Sequence, residues 1–279
     1  MSLGIRSATG ATILGAAVIA STAHAAPIVR SASGADAAAI QSAVDQFRLD
    51  VSLGGANNGS GGSFLTGRRE INWDGGTNSN ITTALAANGF NGNPVARGAQ
   101  YSTPGTGFIQ SARIPGDDAN TALRFGDLNA QYNSIFRVFS NQKLIAPSGS
   151  TQMDVHFRLP TSPNTPATVN GFGAVFADVD RSSSSRIEFY DAANILLGSY
   201  PIPAADNGLS FLGVSFDAGE RVSSVRLFAG DTALGAAAVD DLTHDVVALD
   251  DFIYSEPIPA PGSLALLGLG GLVAARRRR

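Results

Sequence analysis

The first strong hydrophobic pattern along the chain has the period of an α-helix. Four apolar residues recur at i, i+4, i+7 and i+11: Ile40, Val44, Phe47 and Val51. Side chains at this spacing lie on one face of a helix, so the pattern predicts an amphipathic helix over residues 36–50, with Asp36 or Ser33 near its N-cap. The apolar face of this helix needs a hydrophobic surface to pack against.

The second half of the chain has the period of β-strands. Between residues 153 and 159 apolar side chains alternate with Asp154, His156 and Arg158, which predicts a half-buried strand with one face in solvent. Residues 169–177 are more continuously apolar, as in a strand buried on both faces. Further strands are predicted at 185–191, 195–200, 209–216, 221–229 and 245–255. Short strands at this spacing predict a mainly β protein, an antiparallel β-sandwich of jelly-roll type.

Two stretches between the helix and the strands are rich in glycine, serine and asparagine. They cover residues 54–67 and 75–107, and they predict long loops, with a helical turn at 81–87 in the second. Loops of this length in a compact domain are usually functional or mobile.

Both ends of the chain have the pattern of targeting signals. Residues 1–25 contain Arg6, an apolar core at 11–20 and the small-x-small sequence that ends at Ala25, which predicts a cleaved signal peptide. At the other end, Pro259, Ala260 and Pro261 precede an apolar run at 264–275. The chain ends in four arginines: Arg276, Arg277, Arg278 and Arg279. The apolar run is shorter than the roughly 20 residues of a membrane span, so it predicts a marginal C-terminal hydrophobic helix, with the arginines on the cytoplasmic side.

This C-terminal order resembles the PEP-CTERM sorting signal of Gram-negative surface proteins, although Ala260 stands where the family usually has Glu. The resemblance implies processing by an exosortase-type membrane protease, transient anchoring in the inner membrane, and delivery to the cell surface or extracellular matrix. Four internal segments are similar to the ectodomains of proteins with such tails: GFGAVFADVD (171–180), IEFYDA (187–192), LSFLGVSFDAGERV (209–222) and ALDDFIYSEP (248–257). The similarity implies no catalytic residue. The predicted domains are a signal peptide (1–25), an extracellular β-sandwich (26–258) and a sorting tail (259–279).

Charge and cysteine content narrow the choice of partners. Removal of both targeting segments takes five of the 19 basic residues and none of the 23 acidic ones, so the mature chain would be strongly acidic. An acidic chain is repelled by phosphate backbones, which argues against nucleic acid as a partner. The chain has no cysteine, so an exported domain would be stabilised by its core or by a metal instead of disulfides.

Closely spaced aspartates predict a calcium site. Asp178 and Asp180 are two apart at a predicted strand end, so their carboxylates point the same way. The pairs Asp240–Asp241 and Asp250–Asp251 could approach them from the last strand, and clusters of oxygen ligands suit Ca²⁺. The alternative is that these acids lie in solvent and cap turns. No EF-hand spacing is present, and neighbours such as Asp250 and Asp251 are expected to face opposite sides of a strand.

The single tryptophan suggests a sugar-binding site. An exposed indole at Trp73, beside Arg69 and Asp74, could stack on a sugar ring while the polar groups bind its hydroxyls. The alternative is that Trp73 packs in the core on the same side as Ile71 and Arg69.

The sequence contains no catalytic motif. Outside the predicted signal peptide His156 and His244 are too few for a three-histidine zinc site, and the His-Glu-x-x-His, Gly-x-Ser-x-Gly, phosphate-loop and dinucleotide patterns are absent. We therefore expect a non-enzymatic protein with a binding or structural role at the envelope or extracellular polysaccharide, assisted by Ca²⁺. The alternative is a secreted carbohydrate-active hydrolase, which would require two carboxylates facing a cleft.

Overall fold

The computed structural model describes residues 26–75, 81–86, 96–112, 123–140, 142–160 and 162–260. The predicted signal peptide, including Ala25, lies outside the described residues, as do Pro261 and Arg276 to Arg279 of the predicted sorting tail. The first elements in chain order are β1 (Ile28–Gly34), α1 (Ala37–Ser52), β2 (Arg68–Ile71), β3 (Thr83–Ala86), β4 (Ala99–Ser102), β5 (Gly107–Gln110), α2 (Tyr132–Ile135) and β6 (Ile145–Ser148). The remaining strands are β7 (Gln152–Leu159), β8 (Ser162–Thr168), β9 (Gly171–Val179), β10 (Arg186–Tyr190), β11 (Leu196–Pro201), β12 (Ala205–Ser215), β13 (Ser224–Phe228), β14 (Ala248–Ser255) and β15 (Ile258–Pro259).

The described strands form two antiparallel sheets. The first sheet has the order β1-β12-β9-β14-β6-β5-β3, with β2 also paired to β14. The second has the order β11-β10-β13-β7-β8-β15, with β4 also paired to β7. The two sheets share one hydrophobic core, to which β9 contributes Phe172 and Phe176 while β7 and β13 contribute Val155 and Leu227. The prediction of a mainly β protein is confirmed.

Strands β9 and β14 of the first sheet are buried along their whole length. One face lies on the core shared with the second sheet, and α1 covers the other face. The predicted apolar residues of the helix, Ile40, Val44, Phe47 and Val51, are all fully buried. Phe47 packs edge-to-face on Phe211 of β12 with 5.7 Å between ring centroids. A Cβ on Gly213 would lie 2.5 Å from Phe47, so glycine at this position lets the helix approach the sheet.

The start of the described chain differs from the prediction. The sequence indicated only a helix there, but β1 precedes it and pairs with β12, where Ile28 lies opposite Ser215. Ser33 belongs to this strand, so the N-cap of α1 is Asp36, whose Oδ1 accepts a hydrogen bond from the Ala39 amide at 3.1 Å. β1 was missed because its partner lies almost 200 residues away, and its apolar alternation is weak.

The predicted loop at 75–107 contains two described strands. The helical turn expected at 81–87 is wrong, because residues 83–86 form β3 and pair with β5. β4 pairs with β7 over Ala99 to Ser102. In both cases pairing with a distant strand outweighs a weak local preference.

The second sheet continues beyond the predicted end of the domain. Ile258 and Pro259 pair with Thr168 and Ala167 of β8, and the Ala260 amide donates to the Pro166 carbonyl at 3.2 Å. The fold therefore includes Pro259 and Ala260, which the sequence analysis assigned to the sorting tail. The predicted C-terminal hydrophobic helix lies outside the described residues. Within those residues, no helix has the length and apolar character required to span a bilayer.

Candidate metal centre

The end of β9 places two of the predicted metal ligands side by side. Asp178 lies within the strand, has a φ of 68° and is fully buried, and Asp180 follows the strand directly. Opposite them, β12 has an irregular register between Ala205 and Leu209. The amide of Asn207 in this irregular segment donates to Asp178 Oδ1 at 2.7 Å. The bulge in β12 therefore fixes one oxygen of the Asp178 carboxylate.

The third acidic residue comes from the loop before β14. Asp240 is held by the Val246 amide, which donates to its Oδ1 at 2.8 Å. One carboxylate oxygen from each of Asp178, Asp180 and Asp240 lies within 4.8 Å of the others. We call these residues the three-aspartate cluster. The predicted proximity of Asp178 and Asp180 is confirmed, and Asp240 joins them from a segment about 60 residues away.

Two oxygens of the three-aspartate cluster are buried without a hydrogen-bond partner among the described residues. They are Asp178 Oδ2 and Asp180 Oδ1. A buried carboxylate without a hydrogen bond or countercharge is costly, and proteins normally neutralise it with a proton, a basic side chain or a metal. Arg181 is the nearby cation, but it pairs with Asp231. The cluster therefore lacks a complete set of partners within the described protein.

Burial and mutual repulsion raise the pKa values of all three carboxyl groups. Burial, with the charges of Asp240, Asp180 and Asp206, raises the pKa of Asp178 to about 8. Burial and neighbouring carboxylates also raise the pKa of Asp180 to about 7 and that of Asp240 to about 6. A cation between the three groups would favour their ionised forms at neutral pH.

The ligand atoms fit a hard divalent cation. The cluster offers only carboxylate oxygens, which suit Ca²⁺, Mg²⁺ or Mn²⁺, whereas zinc sites favour histidine and cysteine. Ca²⁺ accepts six to eight oxygens in a flexible geometry, and backbone carbonyls and water commonly complete its shell. The oxygens of Asp178 and Asp180 that lack partners are available to bind such an ion.

Asp241 and His244 lie outside the three-aspartate cluster. Asp241 Oδ1 accepts hydrogen bonds from the amide and hydroxyl of Thr243 and from the His244 amide, and these bonds hold its pKa well below its usual range. Asp241 therefore caps a surface turn, as the alternative interpretation of the acidic pairs expected.

Asp250 and Asp251 also lie outside the cluster, which corrects their assignment as metal ligands. The register of β14 shifts between Leu249 and Phe252, and both acids are buried there. Asp250 Oδ2 accepts from the Phe139 amide at 2.6 Å, and Asp251 Oδ1 accepts from the Ser140 hydroxyl at 2.5 Å. Burial raises the pKa of both carboxyl groups, and the neighbouring charge of Asp251 raises the pKa of Asp250 further. This pair attaches the segment before β6 to the first sheet.

The predicted sugar-binding residues are structural. Trp73 is buried, its Nε1 donates to the Asp250 carbonyl at 2.8 Å, and its ring packs edge-on against Tyr101 and Phe252. Core packing of Trp73 is therefore confirmed, and the exposed indole that a sugar would require is absent. Asp74 Oδ1 accepts from the Lys143 amide at 3.1 Å.

Arg69 organises the glycine-rich loop at 54–67. Its guanidinium forms a two-point ion pair with Glu256 at 2.6 and 2.7 Å, and both side chains are buried. The remaining donors of Arg69 bind the carbonyls of Gly59, Gly61 and Gly62 at 3.0 Å each. The loop is thus folded around a buried charge. The role of Glu256 was not predicted from the sequence, although an acid directly after a predicted strand is a usable signal.

His156 has no catalytic partners among the described residues. It is half-buried on β7, its Nε2 lies 3.4 Å from the Ser102 hydroxyl, and burial lowers its pKa. The distance is at the limit of a hydrogen bond, and the group offers no nucleophile activation.

No protein-family model, curated protein or solved structure matches the chain. The proposals below therefore rest on the geometry of the molecule.

Replacement of Glu256 by Gln should destabilise the protein by about 3–5 kcal/mol, because Arg69 would keep a buried charge without a counterion. The matched control is Arg226→Gln, which breaks the more exposed 2.7 Å pair with Asp154 and should cost about 0–1 kcal/mol. Urea denaturation measures both variants. Equal decreases in the free energy of unfolding for the two variants would contradict the structural role of the buried Arg69–Glu256 pair.

In calcium-depleted buffer, the free energy of unfolding should fall as the pH rises from about 4 to about 8. The folded-state pKa values of Asp178, Asp180 and Asp240 lie above the usual 3.8, so the native state binds more protons than the unfolded state throughout this range. Urea denaturation at several pH values should show that the free energy of unfolding of Asp178→Asn falls less with rising pH than that of the unchanged protein. The same replacement at exposed Asp217 is the control, and identical slopes for the two variants would contradict the assignment.

Proposed function

We propose that this protein is an exported cell-surface or extracellular-matrix component with a binding or structural role at the envelope or exopolysaccharide. In this proposal its two sheets form a β-sandwich of jelly-roll type, and a calcium ion at the three-aspartate cluster stabilises it. The single observation that carries the calcium proposal is the pair of buried oxygens without partners, Asp178 Oδ2 and Asp180 Oδ1.

The position of the three-aspartate cluster explains what the ion would do. It lies where the end of β9, the irregular part of β12 and the loop before β14 meet. Calcium would join these three segments, which are distant in sequence and which no disulfide connects, since the chain lacks cysteine. Extracellular calcium modules bind with dissociation constants of about 10⁻⁴ to 10⁻³ M, so a site of this kind would fill in a medium that contains millimolar calcium.

A hydrolytic role for the three-aspartate cluster receives less support. Asp178 is completely buried, whereas a general acid or nucleophile must contact substrate. The pKa values of the three carboxyl groups in the cluster are raised chiefly by burial, as expected for a metal site without its cation.

Calcium should raise the melting temperature of the full-length chain. A ligand at 100 times its dissociation constant stabilises the folded state by about 2.7 kcal/mol, which corresponds to roughly 5–10 °C for a chain of this size. Asp240→Asn should abolish the shift because it removes a ligand. Asp241→Asn is the matched control, since the adjacent residue caps a turn and should leave the shift intact. Differential scanning calorimetry with added calcium or magnesium measures the effect, and a shift that survives in Asp240→Asn would refute the site.

Deletion of residues 261–279 should release the protein from cells into the medium, because the proposed sorting signal provides its membrane attachment. The deletion begins after Ala260, since Pro259 and Ala260 pair with β8 and their loss would disturb the second sheet. Immunoblots of cell and medium fractions measure the release. Unchanged cell association of the truncated protein would disprove sorting by this tail and processing by an exosortase-type protease.

A further inference from the structure

A cavity of about 450 Å³ opens at the N-terminus of α1. Its described lining includes Asp36, Ala37, Arg124, Asn133, Ser134 and Arg137. Small-molecule sites typically have volumes of about 300–1,000 Å³, so this cavity can enclose a ring-sized ligand. None of its lining residues belongs to the three-aspartate cluster.

Arg124 is buried beside this cavity, and no described carboxylate neutralises its charge. The residue is 9% exposed, and its Nη2 donates to the Asn133 carbonyl at 2.9 Å. Its Nε is buried and has no hydrogen-bond partner, and no carboxylate among the described residues forms an ion pair with it. Burial of a guanidinium is unfavourable unless an anion neutralises it. Arg124 therefore points to an anionic ligand.

A second arginine faces the same cavity. Arg137 is half-buried, and its Nη1 donates to the carbonyls of Ser134 and Phe136 at 2.7 and 3.0 Å. Burial and the charge of Arg137 together lower the pKa of Arg124. Two positive charges that repel each other across a cavity are both stabilised by an anion placed between them.

The N-terminus of α1 adds a third positive contribution. The helix has 16 residues, and the amides of its first turn carry a partial positive charge that favours anions. Asp36 is the opposing charge in the cavity, and its Oδ1 is engaged with the Ala39 amide. Within the described lining, the positive charges of the two arginines and the helix N-terminus exceed the one negative charge of the exposed Asp36 carboxylate.

We propose that this cavity binds the carboxylate of a single hexuronic acid unit in an acidic polysaccharide, because its two arginines make the cavity locally positive on a chain whose net charge is negative. A guanidinium pairs with a planar carboxylate through two parallel hydrogen bonds, and the cavity has room for the sugar ring that a free inorganic anion would leave empty. The inference deepens the proposed binding role at the exopolysaccharide and rests on it. Hexuronate binding at this cavity does not require calcium at the three-aspartate cluster. The hexuronate proposal and the calcium proposal can therefore fail separately.

Isothermal titration calorimetry on the full-length chain tests the proposal, with galacturonate, neutral galactose and inorganic phosphate as probes. Galacturonate should bind saturably both with calcium and in calcium-depleted buffer. Arg137→Gln should weaken this binding at least about tenfold, as expected for loss of a charge-assisted hydrogen bond. Arg124→Met should have a similar effect, and circular dichroism checks that both variants fold.

The matched control is Arg30→Gln. Arg30 pairs with Asp50 at 2.7 Å near the other end of α1, roughly 20 Å from Asp36 by the rise of the helix, so it should leave galacturonate binding unchanged. Equal binding of galactose, unchanged binding in Arg137→Gln, or no saturable binding of any probe would overturn the proposal. Phosphate binding as tight as that of galacturonate would overturn the sugar assignment and indicate a site for free oxyanions. If calcium did not raise the melting temperature, the calcium site would be refuted, but the galacturonate-binding result would still stand.

Discussion

The structure depends on the burial of β9 and β14 on both faces. The second sheet covers one side of these strands and α1 covers the other, so their side chains are almost entirely removed from water. Such burial supplies the hydrophobic stabilisation of a chain without disulfides. It also creates a constraint, because every charged group on these strands or at their ends is buried with them and requires a partner.

The molecule meets this constraint in three ways. Glu256, just after β14, receives a two-point ion pair from Arg69 and further hydrogen bonds from Asn58 and the Phe64 amide. Asp250 and Asp251 in β14 accept hydrogen bonds from the Phe139 amide and the Ser140 hydroxyl, while Asp250 Oδ1 has no partner among the described residues. The three-aspartate cluster at the end of β9 retains unpartnered oxygens. Glu256 has a countercharge within the protein, whereas Asp250 and Asp251 rely on protonation and the three-aspartate cluster needs protons or a metal ion. Arg124 has the opposite charge and, among the described residues, it also lacks an ion-pair partner.

The sequence predicted the elements whose pattern is local and strong. The stripe of α1 and the alternation of β7 are set by covalent spacing, since side chains three or four apart share a helix face and those two apart share a strand face. The structure confirms both elements. β1 and β3 were missed because their apolar patterns are weak and their stability comes from distant partners, β12 and β5. The buried positions of Asp250 and Asp251 were missed because a shift in strand register breaks the expected alternation.

The sequence by itself determined the mainly β character of the protein, the position and face of its long helix, and the proximity of Asp178 and Asp180, because each follows from neighbouring residues. Only the tertiary structure decided that Asp240 joins them while Asp241 does not, that Trp73 is buried, and that Arg124 lies beside the start of α1. These facts depend on which loops meet when the sheets and the helix pack together. Contacts between residues far apart in sequence leave no periodic signal, and they appear only when the chain is folded.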